Sequence, residues 1–223
     1  MPTFSAASQE ELKKSPLALT REGLVEYSEA LAQQRAIHAE VAQGLRPNTL
    51  ILLEHPSVYT AGKRTSELEK PTDGTPVIDV DRGGKITWHG PGQLVGYPIV
   101  KLAKPTELVG FVREIEAGLI KVCSEFGINT QRVDGRSGVW VRDERGERKI
   151  AAIGIRVAQG VSMHGFALNV NPELAAFNRI IPCGIIDAAV TSMADELSRD
   201  ISVDDVIPVV EKYLFESLMK VSA

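Results

Sequence analysis

A chain of 223 residues with 43% hydrophobic content can bury a full core, as one large domain or two small ones. Its net charge of -4 argues against broad nucleic-acid binding, and its 2 cysteines leave no disulfide framework. No run approaches the roughly 18 apolar residues of a membrane helix, and the polar, charged Met1 to Lys14 lacks the apolar core of a secretory signal, so a cytoplasmic protein without a membrane role is expected.

After a loose start, Val25 to Val41 reads as a surface helix closed by Gly44. Thr49 to Glu54 is a short apolar run stopped by His55-Pro56, as suits a buried central strand, and Val58 to Thr60 extends the sheet beyond a bend. From Asp81 to Tyr97, glycines at 83, 84, 90, 92 and 96 interrupt short extended pieces. This stretch has neither the lysine and hydroxyl of a Walker loop nor a GxGxxG fingerprint. Thr106 to Phe126 is the clearest helix, with Thr106 as cap and Gly127 behind it. Gly138 to Arg142, Lys149 to Val157 and Val161 to Val170 read as an antiparallel meander with a polar turn at Glu144 to Gly146, Lys149 opening its strand. Arginines clustered between Arg132 and Arg156 alternate with acids and read as a solvated hairpin face. Ser202 to Met219 is a capped amphipathic helix with Pro208 inside it. Without a repeat or linker, the pattern predicts a single domain over residues 1–223, with an N-terminal extension at 1–20. Its class is α+β (mixed α/β), a central mixed sheet flanked by helices.

Chemistry points first to Cys183. Pro182 locks the backbone before it and Gly184 frees the backbone after it, which holds a thiol at a bend. Cys123 instead falls within the apolar stripe of Leu108, Val112, Ile115, Leu119, Val122 and Phe126, where a small thiol is core. A thiol reacts as thiolate and needs a base or cation nearby. His38 and His55 have structural explanations on a helix and before a proline, which leaves His89, His164 and Lys149. Burial lowers a lysine pKa toward the range of a general base, and Lys149-Ile150-Ala151-Ala152-Ile153-Gly154 is apolar enough to suggest it. Pattern alone does not choose between Lys149 and His89.

Four segments together resemble the lipoyl(octanoyl) transferase family: Asp81 to Gln93 (DRGGKITWHGPGQ), Lys149 to Gly154 (KIAAIG), His164 to Asn169 (HGFALN) and Pro182-Cys183-Gly184. The match runs in register from about the Leu50 strand to Ser192. The resemblance implies the fold of the catalytic domain of biotin protein ligases and lipoate ligases. It implies transfer of an octanoyl group from the acyl carrier protein to a lysine of lipoyl domains, on 2-oxoacid dehydrogenases and the glycine cleavage H protein, as the first step of endogenous lipoate biosynthesis. By position, Cys183 matches the acyl-accepting cysteine and Lys149 the lysine that activates it. Three segments match the acyl-binding positions: Arg82, Gly83, Gly84, Lys85, Ile86, Thr87, Trp88 and His89; Ala152, Ile153 and Gly154; and Gly165, Phe166 and Ala167. Thioester exchange followed by amide formation needs no ATP, so no cofactor or metal is expected. Small Gly154 and Gly165 are expected to leave the acyl tunnel open beside Ile153 and Phe166. The rivals are an ATP-dependent lipoate or biotin ligase on the same fold and a non-catalytic module that docks lipoyl or carrier domains.

Overall fold

The computed structural model describes residues 16–72, 74–180 and 189–223. Its first half contains strand β1 (Leu17–Leu24), helix α1 (Tyr27–Ala42), strands β2 (Asn48–Glu54) and β3 (Val58–Ala61), a 3-10 turn (Glu67–Glu69), and strands β4 (Val77–Asp79), β5 (Thr87–His89) and β6 (Gln93–Ile99). The second half contains helix α2 (Leu108–Glu125), strands β7 (Gln131–Val133), β8 (Arg136–Asp143), β9 (Gly146–Ala158) and β10 (Val161–Asn169), a 3-10 helix (Leu174–Arg179), strand β11 (Ala189–Val190), and helices α3 (Met193–Leu197) and α4 (Val203–Met219).

The apolar run of β2 is buried along its length because it lies inside a sheet covered on both faces. Side chains alternate. Leu50, Leu52 and Leu94 face Phe111, Ile115 and Leu119 of α2 and Val206, Val210 and Leu214 of α4, whereas Ile51, Leu53, Val95 and Tyr97 face Ala30, Ile37 and Val41 of α1. Among the described residues the main sheet runs β1-β2-β6-β10-β9-β8-β7, with β11 alongside β9. The β1–β2 and β9–β11 pairs are parallel and the others antiparallel, the mixed sheet expected.

Several expectations are corrected. The loose start contains β1, an edge strand whose inward residues are only Leu17 and Ala18, too few for an apolar pattern. The β3 segment does not extend the main sheet but forms a second one, ordered β4-β3-β5, over a separate cluster of Tyr59, Ile86, Trp88, Phe177 and Ile180. Glycine-interrupted Gln93 to Ile99 is one continuous central strand. Helix α2 starts two residues later than Thr106 and has Glu107, whose side chain makes no capping bond, at its cap. Lys149 is inside β9, not at its start. The α4 boundaries hold: Ser202 and Asp205 form a reciprocal capping box, and the helix continues through Pro208.

Candidate active site

Strands β9 and β10 pair from Val161–Ala158 to Leu168–Ala151. On them lies a cleft of about 240 Å³, bounded by the 82–89 segment on one side and Gly135, Arg136 and Ser137 on another. Of the sixteen residues predicted, Arg82, Gly84, Lys85, Thr87, His89, Lys149, Ala152, Ile153, Gly154, Gly165, Phe166 and Ala167 line it. Gly83, Ile86 and Trp88 do not. The β5 alternation turns Thr87 and His89 to the cleft and Ile86 and Trp88 into the third core cluster, while the Gly83 N–H donates to Ile155 O at 2.9 Å. Cys183 lies outside the described residues.

A bulge aims Lys149. Val139 pairs with Ala151 and Trp140 with Lys149, so one residue of β9 is left over. Ile150 and Ala151 therefore both enter the α2/α4 core, while Lys149 and Ala152 both reach the cleft. Lys149 is 9% exposed, and its Nζ stands 4.6 Å from the centroid of the buried Trp140 ring, a cation–π contact. Its neighbour Gly138 has φ +114, and a Cβ there would stand 2.4 Å from Ala151 O. The Gly138 N–H donates to Glu116 Oε1 at 3.0 Å. Glu116 is fully buried on α2 and also accepts from Arg113 and Arg132.

Strand β11 runs beside this lysine. Ala189 pairs with Arg148 and Val190 with Lys149, and Thr191 commits all three of its polar groups there. Its N–H donates to Lys149 O, its O accepts from Asn169 Nδ2 at 2.9 Å, and its hydroxyl donates to Glu196 Oε1 at 2.6 Å. Glu196 also accepts from Arg148 Nε at 2.9 Å. Burial opposes its ionisation, but Arg148 and Thr191 still hold the Glu196 carboxyl below its usual range. The arginine-rich hairpin is thus a set of ion pairs: Arg136 with Glu147, Arg145 with Asp143 and Glu196, Arg148 with Asp143 and Glu196.

From Thr191 the hydrogen bonds continue to the opposite wall. Asn169 Oδ1 accepts from Gln93 Nε2 at 2.9 Å, and Gln93 Oε1 accepts from His89 Nδ1 at 2.7 Å. Desolvation first, and the nearby His55 ring, push the His89 pKa down to about 3, so at neutral pH the ring is uncharged and donates from Nδ1. His55 is neutral for the same chief reason, bonding Val25 O and Tyr97 Oη, and His38 bonds Ala158 O and Val161 O as a structural residue. Arg82 donates to Gly83 O, Lys85 O and both oxygens of Thr60, pinning its own loop onto β3. Contrary to the expectation from the sequence, the missing side chains of Gly154 and Gly165 do not open a bore. A Cβ at Gly154 would meet Arg82 Cδ at 3.1 Å, and one at Gly165 would meet Gly96 O at 2.0 Å, so protein fills both spaces.

Sequence reasoning missed Tyr27, Tyr97, Trp140 and Thr191. The first two reach the cleft from α1 and β6, and Trp140 is marked in sequence only as the residue opposite Lys149 in a hairpin whose register depends on a bulge.

The catalytic-domain model of lipoyl protein ligases A/B matches residues 26–215. An octanoyltransferase of Salinispora tropica is 58% identical over 200 residues, 89% of this chain and 94% of that protein. One from Streptomyces coelicolor is 52% identical over 235 residues, covering 87% and 89%. A bi-partite lipoate protein ligase of Thermoplasma acidophilum superimposes with a TM-score of 0.74 at 16% identity, over 91% of this chain and 83% of that one. Biotin protein ligase from Aquifex aeolicus reaches 0.50 at 15% identity, over 92% and 68%.

Proposed function

From the premise that this chain belongs to the lipoyl protein ligase A/B catalytic-domain family, and within it to the octanoyltransferases, we propose a two-step transfer through Cys183. The Cys183 thiolate attacks the thioester carbonyl of octanoyl-acyl carrier protein, the C–S bond to the carrier breaks, and the carrier thiol leaves with a proton. A lysine amine of a lipoyl domain, on a 2-oxoacid dehydrogenase or the glycine cleavage H protein, then attacks the new thioester, and Cys183 leaves as the amide forms. The first exchange is close to neutral and the second runs downhill, so the acyl group needs no prior activation.

One observation carries the reading: an almost fully buried lysine on a cleft with an apolar floor, on the strand that pairs with Ala189 and Val190. Lys149 stabilises the thiolate or takes its proton. Ala152, Ile153 and Phe166 contact the alkyl chain, and Thr87 and His89 present the polar side of the same cleft.

Incubation with octanoyl-acyl carrier protein, without ATP, will place an octanoyl mass on the Cys183 peptide, and addition of a lipoyl domain will discharge it. An unmodified peptide, or transfer only with ATP and free octanoate, would refute the two-step reading.

A further inference from the structure

The paired strands give the cleft an axis. On the face toward α1, Val95, Ala167 and Ala152 stand side by side across β6, β10 and β9, and Gly165 and Gly154 form the next row. Lys149 precedes this floor at one end, and His164, paired with Ile155, follows it at the other. From Ala152 to Ile155 the floor is about 13 Å of strand. A staggered eight-carbon chain, with C–C bonds of about 1.5 Å, spans roughly 9 Å, so the chain and one side chain closing the far end fill that length together.

His164 supplies that side chain. Strict alternation would send it with Phe166 and Leu168 toward α2 and α4. Its φ of +59 is left-handed, uncommon for a residue with a side chain, and the ring turns instead to the cleft face, where Nε2 lies 2.7 Å from Asp81 Oδ1. Asp81 is held in turn by Arg156, the β9 residue just beyond the floor, and the His164 N–H donates to Gln34 Oε1 of α1 at 3.0 Å. So tied, the residue is 2% exposed. Burial, then the charges of Arg82, Arg156 and Arg35, push the ring's pKa down to about 3, so what meets the chain at neutral pH is an uncharged ring. Ala152, Ala167, Gly154 and Gly165 raise at most a methyl from the floor before it. A chain too long for the cleft must break the ties of that ring or leave its own end in water.

We propose that the His164 ring is the end wall of the acyl cleft and sets the length of chain accepted on Cys183. The proposal rests on the two-step reading, since the chain is measured from its thioester, and its test compares chain lengths so that the wall and the relay fail separately.

The full chain is given an equimolar mixture of hexanoyl-, octanoyl-, decanoyl-, dodecanoyl- and tetradecanoyl-acyl carrier protein, without ATP, and the adducts on the Cys183 peptide are compared by mass spectrometry at short times. Wild-type protein will favour octanoyl. Glycine adopts the left-handed backbone freely and has no ring, so His164→Gly will raise the ratio of dodecanoyl to octanoyl adduct by about tenfold or more. His164→Asn tolerates the same backbone and will raise it less, because a shorter side chain still occupies the end. A uniform loss of rate leaves this ratio where it was, so damage to the fold does not imitate the effect. A wild-type ratio in a folded His164→Gly protein would overturn the end wall and leave the relay standing. Absence of any adduct in wild-type protein would overturn the relay and the wall with it. If the glycine variant does not fold, the asparagine variant decides by the same ratio.

Discussion

His89 packs within 6.0 Å of Tyr27 and 5.8 Å of His55, centroid to centroid, with its ring withdrawn from water. The unfolded chain takes up a proton there near the ordinary value of about 6.5, and the fold refuses it until about 3. The folded pKa of this base is depressed, so the unfolded state binds more protons throughout that window and stability falls as pH falls. At pH 5 the loss from His89 is about 2 kcal/mol. The urea midpoint will therefore drop between pH 7 and pH 5, and His89→Gln will flatten that slope; an unchanged slope would contradict the burial argument. For Lys149 the expectation concerns rate. Lys149→Arg keeps a cation but gives up a removable proton, and Cys183 acylation will slow by about 100-fold or more if the amine acts as a base. Wild-type acylation in that variant would remove Lys149 from the chemistry. These residues were visible in the sequence because their motifs are local strings. The acyl-binding string from Arg82 to His89 was legible as a string, but which of its members face the cleft depended on the phase of a three-residue strand.

At the scale of elements, the close approach of β6 and β10 has a clear vulnerability. Gly165 sits against the β6 backbone, and a Cβ there would stand 2.0 Å from Gly96 O and 2.5 Å from Pro98 Cδ. Gly165→Ala must push the two strands apart, at a cost of about 3 kcal/mol, lowering the thermal midpoint by roughly 6 to 12 °C. A melt within a degree of wild type would show that the strands already have slack. The anchor between α2 and β8 predicts a second loss. Glu116→Leu leaves the buried Gly138 N–H unpaired and takes the carboxylate from Arg113 and Arg132, which solvent still reaches, and its urea midpoint should fall by the equivalent of about 1 to 3 kcal/mol. Helices α2 and α4 and the β8–β9–β10 meander were readable because their periodicity and turn residues lie in one short window. Strand β1 was not, because an edge strand with two inward residues carries no period. The split of β3 from the main sheet was unreadable for a related reason: sheet membership belongs to partners, and its partners lie at Val77 and Trp88.

Across the whole molecule, the site is a seam where segments distant in sequence close on one cleft. His89, Gln93, Asn169 and Thr191 form a chain of hydrogen bonds spanning about a hundred residues of sequence. No window of sequence contains that relation, which is why the motifs gave the family while Thr191 and Trp140 escaped notice. Cys123 has no exposed surface, and burial pushes its pKa up to about 12, so an alkylating reagent meets it only when the α2 layer lifts from the sheet. With only 2 cysteines in the chain, the second equivalent of label consumed is a built-in clock for global opening. Its rate against urea would time how often the scaffold comes apart, in untagged protein and without a single substitution.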